Sequence, residues 1–106
     1  MLKMDINNEK KECTITGSGM LNNSDLRGLW NQYNELLKTT DLKEYDLVVD
    51  AQDVKIPIFS KHKMMNLLDT VQFQHIFVVV KDKQQAENQL KNFNQDLYRK
   101  ITFIVE

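Results

Sequence analysis

Apolar positions along this chain change period from two to near 3.6 and back again, and each change marks an element. Met4-Asp5-Ile6 and Cys13-Thr14-Ile15-Thr16 alternate around the polar cluster Asn7-Asn8-Glu9-Lys10-Lys11, the pattern of an antiparallel hairpin. Gly17-Ser18-Gly19 then reads as a flexible strand-to-helix connection, and Asn22-Asn23-Ser24-Asp25 offers N-cap residues for a helix starting near Ser24. Within that helix Leu26, Leu29, Trp30, Tyr33, Leu36 and Leu37 recur at three- and four-residue spacing. The stripe predicts one face packed on a sheet, with Trp30 turned inward.

Tyr45-Asp46-Leu47-Val48-Val49-Asp50 is an apolar, β-branched run stopped by a carboxylate. It predicts a buried strand that opens onto a loop at Ala51-Gln52-Asp53, the end of a strand where open α/β sheets usually place their sites. Ile56-Pro57-Ile58-Phe59 is expected to be an apolar loop that its proline keeps extended, with a second helix beginning near Ser60 and carrying Met64, Leu67, Leu68 and Val71 as its stripe. His75-Ile76-Phe77-Val78-Val79-Val80 is almost wholly apolar, which predicts an interior strand covered on both faces. Ala86, Leu90, Phe93 and Leu97 mark a third helix, and Ile101 to Val105 a last strand. The order β-β-α-β-α-β-α-β requires right-handed crossovers. The fold class is therefore α/β: a single mixed, mostly parallel sheet with an N-terminal β-hairpin and three helices.

A chain of 106 residues suits one domain spanning 1–106, and no Pro/Gly/Ser-rich linker divides it. Lys+Arg 14 against Asp+Glu 15 leaves a net charge of -1, without the bulk electrostatic footprint of a nucleic-acid or anionic-membrane binder. Any anion site must be local. Cys13, the only cysteine, excludes an internal disulfide and a thiolate zinc cluster. The first residues supply no secretory apolar region and no run approaches ~18 apolar residues, so the expectation is a cytoplasmic protein that does not enter a membrane. The abundance of Asn, Gln and Lys suits an AT-rich bacterial or phage genome.

This order of elements, together with Leu47-Val48-Val49-Asp50-Ala51-Gln52-Asp53-Val54, resembles the STAS domain, the fold of bacterial anti-sigma-factor antagonists. The resemblance covers nearly the whole chain and implies a role in protein–protein regulation. Phosphorylated STAS domains carry an Asp-Ser pair, a small residue and a glycine at the start of the helix after this loop. Here the segment reads Ile58-Phe59-Ser60-Lys61: the acidic residue is replaced by Ile58 and no glycine follows. Ser60 is accordingly expected not to be a regulatory phosphosite, and the chain is similar to divergent stand-alone members.

The candidate chemistry is sparse. Ser60-Lys61-His62-Lys63 puts cations at a helix N-terminus, against the macrodipole by about 0.3–1 kcal/mol each, and a phosphate or a partner's carboxylate would offset that. A serine N-cap beside solvated lysines accounts for the same residues. Asp46 and Asp50 share a strand face but stand four residues apart, too far to share one ion, and Asp50 fits a turn residue accepting loop N–H bonds. His62, His75 and Cys13 lack metal-ligand spacing. His75 is expected to hydrogen-bond at the edge of its strand, and Cys13 to behave as a small apolar residue. Met64 and Met65 cannot both face the core side of one helix, which singles out Met65.

These readings converge on a non-enzymatic module with no cofactor and no metal, binding another protein through Ile58, Phe59, Ser60, Lys61, Lys63 and Met65. The segment has an apolar centre and a charged rim. The alternative is a homo-oligomeric structural or assembly protein built through the sheet edge. No nucleophile–base pair or metal set stands at recognisable spacing, so an enzyme ranks third.

Overall fold

The expected hairpin opens the chain, and its turn is built by Asn7, whose Oδ1 accepts the amides of Glu9 and Lys10 at 3.1 Å each. Lys11 closes the turn with φ at 50°, in the left-handed region. The computed structural model describes residues 2–52, 54–55 and 58–105, with side chains described except at 54, 55, 58–62 and 93. In chain order the elements are β1 (Leu2–Asn7), β2 (Glu12–Gly17), β3 (Gly19–Met20), α1 (Asn23–Leu37), a 3-10 turn (Leu42–Glu44), β4 (Asp46–Asp50), β5 (Val54–Lys55), α2 (Ile58–Thr70), β6 (His75–Val80), α3 (Lys83–Phe93), α4 (Gln95–Lys100) and β7 (Ile101–Val105).

Five strands make one sheet in the order β1-β2-β4-β6-β7. β1 pairs antiparallel with β2 and the remaining pairs are parallel, so the mixed, mostly parallel sheet is as expected. Register lines up its apolar residues in rows. Cys13, Leu47, Ile76 and Ile101 are successive cross-strand neighbours, and Ile15, Val49, Val78 and Phe103 form the next row. Leu26 and Leu29 of α1, Met64 and Leu68 of α2, Leu90 of α3 and Leu97 of α4 join these rows in one core cluster. All helices therefore contribute to the same side of the sheet. The topology explains this: strand order advances in one direction without reversal, and right-handed crossovers then stack every helix on one face.

A second, smaller cluster closes the end of the sheet beside α1. Tyr33, Leu42 and Tyr45 are buried there, and Tyr33 sits 5.5 Å from the Trp30 ring and 5.9 Å from that of Phe73. Both tyrosine hydroxyls are satisfied: that of Tyr33 accepts the Gln72 amide at 2.9 Å, and that of Tyr45 donates to Asn8 Oδ1 at 2.9 Å.

Several expectations need correction. α1 starts at Asn23, one residue ahead of Ser24, because Asn22, the first of the N-cap candidates, forms a capping box with Asp25, its Oδ1 accepting the Asp25 amide at 2.9 Å. Along α1 only Leu26, Leu29 and Tyr33 are buried; Trp30 is half-buried at the margin of the stripe, and Leu37 is 41% exposed where the helix ends. α2 starts at Ile58, so Ile58 and Phe59 belong to its first turn rather than to an extended loop. Proline restricts the residue before it, not those after it. The expected loop residues Ile56 and Pro57 lie outside the described residues. The single third helix is two, because Asn94 takes an extended conformation (φ -158°, ψ 108°) and its Oδ1 caps α4 by accepting the amides of Asp96 and Leu97 at 3.0 and 3.1 Å. Gly17-Ser18-Gly19 is more than a connection: Gly19, with φ at 71°, opens β3, which pairs in parallel with β5.

Candidate functional site

No topological switch point lies at the strand end beside Asp50. Switch-point clefts form where strand order reverses and helices diverge to opposite faces, and here no reversal occurs. Asp50 instead acts within its own turn, its Oδ1 accepting the Gln52 amide at 3.2 Å. Asp46, at the other end of β4, is occupied by His75, whose Nδ1 lies 3.0 Å from Asp46 Oδ1. The structure thus places the two carboxylates in separate local roles, as the four-residue spacing requires. Asp53 lies outside the described residues. Among the described residues no group of His, Cys, Asp and Glu is arranged to hold a metal ion.

Cys13 lies in the middle of the core, fully buried. Burial pushes its thiol up to about 11 from 9.0, with the nearby Asp5 carboxylate adding to the rise, so the nucleophilic thiolate is suppressed. The polar residues Asp82, Gln84, Gln85, Asn88, Gln89 and Asn92 border a depression of about 360 Å³ along α3. It offers amides and one carboxylate that already caps α3 through the Gln85 amide, at 3.0 Å.

The groove between α1 and α2 is different in character. It encloses about 370 Å³ and is lined by Asn23, Leu26, Arg27, Trp30, Lys63, Asn66, Leu67 and Thr70. α1 supplies Arg27 and Trp30 from neighbouring turns, because residues three apart share a helix face; α2 supplies Lys63, Asn66, Leu67 and Thr70 by the same rule. The Thr70 hydroxyl is spent on the Asn66 carbonyl at 2.7 Å. Arg27 and Lys63 are exposed and carry no ion pair or hydrogen bond among the described residues. Several other cations on or beside helices are paired, Lys38 with Glu35, Lys83 with Glu87, Arg99 with Asp96 and Lys100 with Asp69, and Lys91 lies over the Tyr98 ring. The groove therefore combines a half-buried indole, two leucines and two free cations.

Of the residues singled out from sequence, Lys63 lines this groove, whereas Met65 is half-buried against the main core. Met64 is buried in that core. The side chains of Ile58, Phe59, Ser60 and Lys61 lie outside the described residues. With α2 starting at Ile58, Ser60 already stands inside the helix and Lys63 more than a turn from its start, where the macrodipole has faded. Arg27 was not legible as a site residue. A periodic stripe assigns Trp30 to the core, and only the packing of α2 against α1 brings Lys63 beside it.

The other face of the sheet is uncovered by any helix of the core cluster. Alternation sends Lys3, Asp5, Glu12, Thr14, Thr16, Asp46, Val48, Asp50, His75, Phe77, Val79, Thr102 and Ile104 there. Val48, Phe77, Val79 and Ile104 belong to neither core cluster, and Ile104 is 39% exposed. β6 was expected to be covered on both sides. It lies inside the sheet, with Ile76 and Val78 buried in the helix-side core; on the other face Val79 is equally buried and Phe77 half-buried, so coverage there is partial.

Compared with known proteins, the chain matches no family model and no curated protein. No helix among the described residues is long and apolar enough to cross a membrane.

Proposed function

We propose that this chain is a non-enzymatic interaction module that docks a partner protein in the α1–α2 groove, the partner presenting an apolar anchor flanked by carboxylates. The observation that carries this reading is the free pair Arg27 and Lys63 on either side of half-buried Trp30. Tryptophan and arginine in a partly desolvated pocket are the residues that dominate protein–protein binding energy. The shallow, helix-lined form suits a macromolecular surface better than an enclosed small molecule. A regulatory role of the STAS type, in a bacterial cytoplasm, fits this reading through the order of elements alone, and without the Asp-Ser motif the module acts without phosphorylation at Ser60.

Trp30 is the sole tryptophan, so its fluorescence reports on the groove directly. Titration with a synthetic glutamate-rich amphipathic helical peptide is expected to shift that emission and to saturate. Arg27→Glu with Lys63→Glu is expected to abolish the shift, and added salt to weaken it. An emission unaffected by the acidic peptide, or a response that survives the double charge reversal, would remove the groove from the reading.

A further inference from the structure

The groove asks for an acidic surface with an apolar centre, and this molecule carries one on its other side. On this sheet face half-buried Val48 and Phe77 are neighbours in one row, and Val79, itself buried, stands beside exposed Ile104 in the next. Asp5, Glu12, Asp46 and Asp50 surround them along β1, β2 and β4, with Lys3 and His75 as the opposing groups. Lys3 lies 3.8 Å from Asp5, and His75 faces Asp46, so the face as a whole remains acidic. We infer that copies of this chain associate head to tail, the open sheet face of one copy seated over the α1–α2 groove of the next. The inference rests on the reading of that groove as a docking site and names its occupant.

Two features favour a second copy in this arrangement. Parallel sheets are ordinarily covered by helices on both faces, and the α1–α2 pair of a neighbour supplies the missing layer. The charges also match, since Arg27 and Lys63 meet a face rich in carboxylates, while Trp30 and Leu67 meet Val48, Phe77 and Ile104. Face-to-face pairing of two identical sheets lacks this match. It sets carboxylates against carboxylates, or against the apolar centre. A heterologous contact closes into a ring only where its rotation allows; with the groove and the open face on opposite sides of the sheet, successive copies stack into an open linear series. Five strands about 4.8 Å apart and roughly 17 Å long give a footprint of about 400 Å² per copy, or about 800 Å² in total, below the roughly 1,200 Å² of stable specific interfaces, so the contact is a transient one with an affinity on the order of 0.1–1 mM.

Sedimentation velocity of the full chain over rising concentration tests this. The weight-average sedimentation coefficient is expected to climb past that of a dimer without reaching a plateau, and to fall back in high salt. Ile104→Arg on the face and Arg27→Glu in the groove are each expected to leave a monomer. Their equimolar mixture is expected to form a one-to-one dimer and nothing larger, because only the intact groove of one variant and the intact face of the other remain. Thr102→Arg and Lys63→Glu provide a second pair at exposed positions, should either first variant melt below the wild type. A wild type that stays monomeric to about 1 mM overturns the inference, as does a mixture that fails to pair. Dimers that persist in both single variants also overturn it, and point to a strand edge. A monomeric wild type that still binds the glutamate-rich peptide sinks self-association alone; one that binds neither sinks the docking reading with it.

Discussion

The two faces of the sheet are written in alternate residues of the same strands, yet they obey different rules. On the helix side, Cys13 and Leu47 are fully buried and Ile15 and Ile76 nearly so. One residue along, Thr14, Val48 and Phe77 are only half-buried and Thr102 is exposed, with Val79 the buried residue among them. The first face is selected for packing, because each side chain is enclosed by helices and a lost methylene leaves a void. The second keeps an apolar centre although no helix of the core cluster covers it, and its carboxylates serve local bonds at the rim: Asp50 in its own turn, Asp46 with His75 and Asp5 beside Lys3. Residues retained without a packing role are where binding is to be sought.

The sharpest test of this contrast uses neighbours in β4. Leu47→Ala empties space in the middle of the core and is expected to cost about 3–5 kcal/mol, a large part of the stability of a domain this size. Val48→Ala on the open face is expected to cost about 1 kcal/mol. Chemical denaturation of both variants decides it; comparable shifts in midpoint would mean that the second face is enclosed after all.

Cys13 gives the covered face a pH signature. Its thiol ionises near 9.0 when exposed and near 11 in the fold, so between those values the folded state holds a proton that the unfolded state has released. Stability contributed by the neutral buried thiol is complete below pH 9 and declines as pH rises toward 11, by on the order of 2–3 kcal/mol. Lysines and tyrosines titrate in the same range, so the measured quantity is the difference in slope between wild type and Cys13→Ala. Parallel slopes would show that the row through Cys13 is open to water.

The elements were largely legible in the sequence because the strands are short, apolar and separated by strong turn signals. Ile101–Val105 and His75–Val80 lie where expected, and the hairpin is only longer at its ends. What escaped was decided by tertiary geometry. Phe93 and Leu97 continue the helical period across Asn94, so periodicity cannot detect a break that depends on Asn94 capping the next helix. β3 and β5 are two residues each and carry no period. The groove was legible only through Lys63, since a stripe that places Trp30 on a helix face cannot say whether the next helix covers it.

Trp30 and Asn94 mark the boundary between the two regimes. Half-buried in the groove, Trp30 is expected to cost about 1–2 kcal/mol on replacement by Ala, below the 3–5 kcal/mol usual for an enclosed aromatic. Asn94→Ala removes a cap that accepts two amides and is expected to cost about 1 kcal/mol. A Trp30→Ala loss at the full core value would place the indole in the packing layer and take it out of the groove.

The smallest stability effect is the most telling about the open face. Ile104 is a β-branched residue at 39% exposure, on the last strand of the sheet, and it belongs to neither core cluster. If the residue served the monomer, Ile104→Ser would lower stability by the transfer value of its remaining buried area and leave hydrodynamic behaviour unchanged. The expected outcome is the reverse: a change within about 0.5 kcal/mol in dilute solution, together with loss of the concentration-dependent rise in sedimentation. Thermal melts must therefore be run at low and at high protein concentration, because association with the folded form alone raises the wild-type midpoint as concentration increases. A wild-type midpoint that climbs with concentration while that of Ile104→Ser stays flat assigns the residue to contact between copies. Two flat and coincident series would leave Ile104 a tolerated surface residue, and the contrast between the faces would then reduce to burial alone.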